Sequence, residues 1–483
     1  SAIGHFFYLH SAMATNWLGS AHEQVTTAYA QAPSFQKMAT QMGIIDFHQW
    51  ASAKAIDLHS RAGQQVVELV KTKVKAEFGS EVFGMLDALS ECMEKISKEL
   101  KLKEAKFGLT MALPLVGMQH NTLKPPATEG PMTDAALLDE AVYWVDFAQG
   151  AYGKDDIKGY DKASVNVAIG EKPGVEVKAA NLQTTGVQLP GHFVAVDRTM
   201  KAVVLGIRGT TTLSDALTDA VGEATEVEKC PGLLAHKAML ASAKAVIENT
   251  RSALEQALKE TGFPLLITGH SLGAGTAILC TVLLSVVSPL SGRPRMRCFA
   301  FAPPPVVGPL THNALRGLTI HSFINRADVV PRASLANVFH LGLECMAVDR
   351  LDLYHHRFNL MRRDAAPENE EETKAKQLIL DAVQECQDER AKKHHESFPP
   401  LFVAGQVYWI EWQGQVGSVE DVKTDSSERK PRVHMAKAEA FQALLLRGGT
   451  NALKDHMCGG YKEGLEGYKA HLQAFGGCHC VIN

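Results

Sequence analysis

"LLITGHSLGAGTAILC", residues 265–280, sets a glycine-rich turn between two apolar runs. The run before the turn reads as a short buried strand, and the run after it as a buried helix. The turn itself, Gly269-His270-Ser271-Leu272-Gly273, has the form G-x-S-x-G. A sharp strand-to-helix bend brings backbones close, so small residues are needed at Gly269 and Gly273. The bend presents Ser271 as an exposed polar residue, its oxygen lifted clear of the sheet. A serine hydroxyl is a weak nucleophile until a base takes its proton. The helix that follows points N–H groups and its positive dipole end at any negative charge developing nearby. Ser271 is therefore a candidate nucleophile, with His270 filling the second position of the elbow.

The flanking sequence says what carries this elbow. "TDAALLDEAVYWVDFAQGAYG" (133–153) reads as a helix starting at Thr133 or Asp134 and ending near Gly153. "HFVAVDRTMKAVVLGIRG" reads as strand, tight turn at Asp197-Arg198, strand. Thr212 with Asp215 resembles a capping box and predicts a helix from about Leu213. "HKAMLASAKAVIENTRSALEQALKETG" is a long amphipathic helix closed by Gly262. "MRCFAFAPPP" and "LTIHSFINRADVV" return to strand character. Strands and helices alternating at these lengths fit parallel strands with crossover helices, so residues from about 133 to 335 form an α/β domain.

Outside that stretch the texture differs. Residues 1–128 read as a helical region, with Val66, Val70 and Val74, then Met85, Leu89 and Met93, at four-residue spacing. "FGLTMALPLVGM" (107–118) is apolar and broken by Pro114, and "KPPATEGP" (124–131) reads as a linker. Residues 129–483 make the second region, with a charged insertion at 346–400 that carries a solvated helix. "LFVAGQVYWIEW" (401–412) resumes strand character, and loop and helix follow it.

Composition narrows the function classes. The chain has 483 residues, a net charge of −4, 46% hydrophobic and 21% charged residues. That balance gives no general attraction to nucleic acid or acidic lipid. No run reaches the roughly 18 apolar residues that span a bilayer, and the first residues lack a secretory signal pattern. Nine scattered cysteines with no C-x-x-C pair favour a reducing compartment over a disulfide framework or a structural zinc site. No metal cluster, cofactor motif or phosphate loop stands out.

A serine nucleophile needs an acid and a base after it. Asp328 in "FINRADVVPR" follows directly on a strand, where ligands and catalytic groups gather in a parallel sheet. A turn-forming aspartate is the plainer alternative. Twenty histidines are present. Those placed after Asp328 and outside the insertion include His340, His434, His456 and His471, and chain order gives His456 only an edge. Two backbone donors must hold an oxyanion. One is the N–H of Leu272. The other is Thr210 in "IRGTTT", where Gly209 lets the backbone come close.

"VVLGIRGTTTLSDALTD", "AHKAML", "LITGHSLGAGTA", "RCFAFAPPP", "ADVVPR" and "LKDHMCGGYKEGL" occur in that order. Together they resemble the class 3 lipases, and most of all the sn-1-type diacylglycerol lipases. The resemblance covers about 133–345 well and 400–475 more loosely. It implies an α/β-hydrolase with a mostly parallel central sheet flanked by helices. It also implies Ser271, Asp328 and His456 as a triad, with Thr210 and Leu272 as oxyanion donors. A glycerolipid ester would be the substrate and no cofactor would be needed. A phospholipase A1, a galactolipid lipase and a catalytically idle scaffold subunit are the alternatives. Pro305 extends a proline pair where relatives often have glycine. Animal relatives carry membrane-spanning helices ahead of the catalytic region, so a different anchor is expected here. "CVIN" (480–483) has the C-a-a-X form, which would make Cys480 a prenyl acceptor and Cys478 a palmitoylation site, although an unmodified tail is as consistent. The expected location is cytoplasmic and peripheral on a membrane surface.

Overall fold

The computed structural model describes residues 116, 120, 125–154, 161–183, 189–210, 213–351, 370–389, 398–412, 430–444 and 455–476. In chain order these form β1 (Thr128–Pro131), α1 (Ala135–Gly150), α2 (Asp161–Ala168), β2 (Val175–Asn181), β3 (His192–Asp197), β4 (Ala202–Ile207) and α3 (Leu213–Ala220). Next come β5 (Ala224–Glu226), β6 (Leu234–His236), α4 (Lys237–Thr261), β7 (Leu265–His270), α5 (Leu272–Val282), β8 (Met296–Phe301), β9 (Val307–Gly308) and β10 (Thr319–Asn325). The last are α6 (Leu335–Asp349), α7 (Glu370–Glu389), β11 (Gln406–Trp412), β12 (Pro431–Ala436) and α8 (Cys458–Gly476).

The main sheet runs β1-β12-β11-β10-β8-β7-β4-β3-β2. Its five central strands, β11, β10, β8, β7 and β4, are parallel, and the pairs at either edge are antiparallel. β3, β4 and β7 are buried along their whole length, as strands covered on both faces must be. A small antiparallel sheet, β5-β6-β9, stands apart from the main one. Successive residues of β8 show which helices lie on which side. Phe299 joins the core made by α1 and α8, including Trp144, Phe147, Tyr461 and Leu465. Its neighbour Cys298 meets Thr281 of α5. Adjacent strand residues point to opposite faces, so α5 covers the face that α1 and α8 do not.

An aromatic ladder crosses the α1–α8 face. Phe323 on β10 pairs in register with Phe301 on β8 and Tyr408 on β11. Their rings stack with centroids 5.2 and 5.1 Å apart. Each such pair adds about 0.5–1.5 kcal/mol beyond area burial. The ladder continues from Phe301 to Tyr461 of α8 at 6.4 Å, edge to face.

Asp134 caps α1 by accepting from Leu137 N–H, and α4 stops before Gly262, both as the sequence indicates. Other elements depart from expectation. "KPPATEGP" is not wholly a linker: β1 pairs with β12. β1 has four mostly exposed residues and ends in proline, so it lacks the apolar alternation that betrays a strand. β12 lies where the sequence reads as a loop, because charged residues interrupt its three buried positions Pro431, Val433 and Ala436. The turn after Asp197 is longer than two residues. Asp197 stays in β3, β4 starts at Ala202, and the Asp197 carboxylate accepts from Met200 N–H at 2.8 Å.

The chain divides into two compact units, one drawn from 1–123, 339–393 and 446–451, the other from 124–338, 394–445 and 452–483. In the first, α7 is not simply solvated. Ala375, Ile379 and Val383, four residues apart, form a buried stripe. Glu344 of α6 accepts there from Gln387 of α7, and pairs with the buried His120 at 2.7 Å. Most of the predicted N-terminal helical region lies outside the described residues. No described helix is long and apolar enough to cross a membrane.

His236 shows how burial turns into a pH response. Its Nδ1 accepts from Met239 N–H and caps the 25-residue α4. Burial pushes its pKa down from 6.5 to about 4. The folded state therefore binds this proton less readily than the unfolded chain. Stability from this group is complete above pH 6.5 and is lost progressively down to about pH 4, about 3 kcal/mol in all. The Tm is expected to fall between pH 7 and pH 4.5. In His236→Asn, which keeps a capping acceptor but does not ionise, thermal melts should show a smaller fall.

Candidate active site

β7 carries the elbow into the middle of the parallel sheet, and α5 begins at the next residue after Ser271. Ser271 takes φ 59 and ψ −131, a left-handed conformation that is strained for a residue with a side chain. Its N–H donates to Phe301 O of β8 at 2.9 Å, and its carbonyl accepts from Ala274 N–H at 2.9 Å. The glycines on either side make the bend possible. A Cβ on Gly269 would fall 2.5 Å from the Gly273 carbonyl group, and one on Gly273 would fall 2.6 Å from Arg208 C. Ser271 is not exposed: only 1% of its surface is accessible.

His456 and Asp328 come to Ser271 from two other segments. His456 Nδ1 lies 3.1 and 3.0 Å from the two Asp328 carboxylate oxygens. A carboxylate accepts, so Nδ1 carries the proton and donates. Nε2 is then the free acceptor, and it stands 3.0 Å from Ser271 Oγ. All three residues are buried. The three other candidate histidines have other neighbours. His434 on β12 pairs with Glu411 at 3.0 Å, His471 on α8 lies against the Tyr468 ring, and His340 on α6 lies against Phe339.

Asp328 sits just past β10 and is held from several directions. Tyr461 donates its hydroxyl to Oδ2 at 2.6 Å, and Val330 N–H donates to Oδ1 at 2.9 Å. The Tyr461 oxygen in turn accepts from Asn325 N–H at 3.0 Å. The residue before His456 is fastened to the same strand end. Asn325 Nδ2 donates to Asp455 O at 3.0 Å, Arg326 reaches the Asp455 carboxylate at 3.3 Å, and Ala327 N–H reaches it at 3.4 Å. Burial pushes the Asp455 carboxyl up to about 7, with Arg326 pulling the other way. Arg326 also lies over the Trp412 ring, 4.3 Å from its centroid.

Leu272 opens α5, so its N–H belongs to the first turn, whose donors lack partners within the helix. Gly209, after β4, packs against the elbow so tightly that a Cβ there would lie 2.5 Å from His270 O and 2.9 Å from Ser271 Cβ. Thr210 is the next residue. Thus the structure brings Ser271, His456 and Asp328 into one hydrogen-bonded line and sets the Gly209-Thr210 segment beside it. Cys478 and Cys480 lie outside the described residues. Among those described, six cysteines are free and no group of three or more His, Cys, Asp or Glu could hold a metal ion.

Sequence reasoning passed over Tyr461, Asn325, Asp455 and Tyr152. Only Tyr461 had a usable signal, as the aromatic residue five places after His456. A mostly parallel sheet with a strained serine elbow at the end of one of its inner strands defines an α/β-hydrolase. Residues 204–338 match the lipase (class 3) family. Human diacylglycerol lipase-alpha is 36% identical over 159 residues, covering 30% of this chain and 15% of that protein. Secreted mono- and diacylglycerol lipase A of Penicillium cyclopium is 29% identical over 174 residues, covering 35% of this chain and 56% of that protein. The Rhizomucor miehei lipase propeptide complex superposes with a TM-score of 0.42 at 16% identity, covering 68% of this chain and 84% of that one. Through its α/β segment, residues 204–338, the chain is similar to the class 3 lipases. It spans 15% of the length of diacylglycerol lipase-alpha, and His456 lies beyond the segment matched to the family.

Tyr461→Phe removes the donor to a buried carboxylate and the acceptor for Asn325 N–H. Urea denaturation should show a loss of about 2 kcal/mol. An unchanged stability would mean that these two bonds do not hold the Asp328 segment.

Proposed function

We propose that this chain hydrolyses an acyl ester of a glycerolipid, with Ser271 as nucleophile, His456 as general base and Asp328 as the group that orients it. The observation that carries this reading is the continuous hydrogen-bonded line from Ser271 through His456 to Asp328 at the tip of a strained elbow. As Ser271 Oγ attacks the ester carbonyl, its proton passes to His456 Nε2. Asp328 stabilises the imidazolium. The tetrahedral oxyanion accepts from the N–H of Leu272 and of Thr210. His456 then returns its proton to the departing glycerol oxygen, leaving an acyl-serine. Water, deprotonated by the same imidazole, attacks this ester and frees the fatty acid. Every step uses side chains and backbone groups of this chain.

Two features favour a lipid ester. The similar proteins include ones named for mono- and diacylglycerol lipase activity. Beside the buried His456, Met457 leaves 63% of its surface exposed, an apolar side chain next to the reacting groups. Peripheral contact with a membrane surface, where such a substrate resides, is part of the same proposal. Diacylglycerol is the substrate proposed, and a panel with phospholipid and galactolipid tests the head group.

Ser271→Ala is expected to abolish fatty-acid release and fluorophosphonate labelling while the circular dichroism stays unchanged. Asp328→Asn should keep the fold and lower kcat by about ten-thousandfold, since it leaves the imidazole in the wrong tautomer. A wild-type chain that fluorophosphonate does not label would overturn the reading. Met457→Glu should reduce hydrolysis of diacylglycerol in vesicles by about tenfold or more, while a soluble short-chain ester is turned over as before. Equal losses on both substrates would show that Met457 does not serve contact with lipid.

A further inference from the structure

His270 is tied to both sides of the proposed site. Its Nε2 stands 2.6 Å from the carbonyl oxygen of His456. A carbonyl only accepts, so Nε2 carries the proton. Nδ1 is then an acceptor, and the Tyr152 hydroxyl donates to it at 3.0 Å. The Gly209 backbone lies against the Tyr152 oxygen. Gly209 is pressed against this group: a Cβ there would lie 2.7 Å from the phenol oxygen. One line of contacts therefore runs from the Gly209 backbone to the Tyr152 hydroxyl, and by hydrogen bonds from there through the His270 ring to the His456 carbonyl. It begins one residue from Thr210 and ends on the backbone of the proposed base.

Each link also fixes the next. The Tyr152 hydroxyl occupies the Nδ1 lone pair, so the ring holds the tautomer with its proton on Nε2. The opposite tautomer would turn a lone pair towards the His456 carbonyl and release it. The His270 and His456 rings lie 4.8 Å apart, close enough that a shift in one is felt by the other. None of these groups reaches Ser271 Oγ directly. They set where the reacting groups stand.

We propose that Tyr152 and His270 are positioning residues that hold the loop after β4 and the His456 segment at a fixed separation. The proposal rests on the hydrolase reading above. It assigns the elbow histidine a role across the site as well as within the turn, and gives Tyr152 a role through His270. A displacement of about 1 Å at this level costs on the order of a hundredfold in rate.

The test uses the full chain, with a soluble fatty-acyl ester and histidine labelled with 15N. Tyr152→Phe should lower kcat about tenfold with KM unchanged, since it deletes one buried hydrogen bond and little volume. His270→Phe should lose more. His270→Gln, whose amide nitrogen can stand where Nε2 stands, should recover most of the rate. Equal rates for Tyr152→Phe and wild type, or a Gln variant as slow as Phe, would overturn the proposal and leave a packing role. Long-range 1H–15N correlation gives an arm that does not depend on turnover. The wild-type His270 ring should be the neutral Nε2–H tautomer, and Tyr152→Phe should move the His456 ring signals. An Nδ1–H ring at His270, or unmoved His456 signals, would overturn the proposal even if the chain proved inert towards esters. Inertness with the expected spectra would refute the hydrolase reading alone.

Discussion

The backbone at Ser271 adopts a conformation that costs a non-glycine residue about 1–3 kcal/mol, and the rest of the sheet is arranged to hold it. β7 lies between β4 and β8 in parallel register, so both of its edges are hydrogen-bonded almost to the bend. The Ser271 N–H continues that pairing onto Phe301 O, and its carbonyl starts α5. Gly269 and Gly273 touch across the turn. None of these contacts is chemical in purpose. Together they over-determine one residue, and the strain places a hydroxyl at the junction of strand, helix and neighbouring loops.

The Asp328 carboxylate and the His456 imidazole share a mount. Asp328 follows β10, and the His456 segment is bound to the same strand end through Asn325, Arg326 and Ala327. Tyr461 closes the arrangement by bonding both Asp328 and Asn325 N–H. Because Tyr461 also ends the aromatic ladder over β8, β10 and β11, the orientation of the carboxylate is coupled to core packing. Ser271 and Asp328 follow different strands, and β8, in parallel register with both strands, sets their spacing.

What the sequence made legible follows from how local each signal is. The elbow, α1, α4 and the central strands were readable because apolar runs and caps lie within a few residues of each other. Asp328 was readable from its place after a strand. β1 and β12 were not, because an edge strand of four exposed residues or one flanked by charges carries no alternation to detect. The burial of Ser271 is not legible in the sequence for a related reason. A turn is normally at the surface, and nothing local says that His456 and the Gly209 loop will cover it. His456 stood out from its rivals only through the motif around it, since the contacts that place it span the whole domain. Tyr152 had no signal at all. Its partner is the ring of a residue over a hundred positions away, and in sequence it is one more aromatic at a helix end.

Burial explains why His270 can sit beside the proposed base without hindering it. Two unit charges about 5 Å apart oppose each other by about 3 kcal/mol at an effective dielectric of 20. A protonated His270 would therefore resist formation of the His456 imidazolium. Burial, reinforced by the neighbouring His456, pushes His270 down to about 3, so it is neutral wherever a histidine base is useful. The same dry surroundings would weaken any polar group left without a partner, and His270 has a partner on each ring nitrogen. Low dielectric and complete pairing thus act together. One keeps the charge off the elbow histidine, and the other makes that neutral ring a rigid spacer between the two loops.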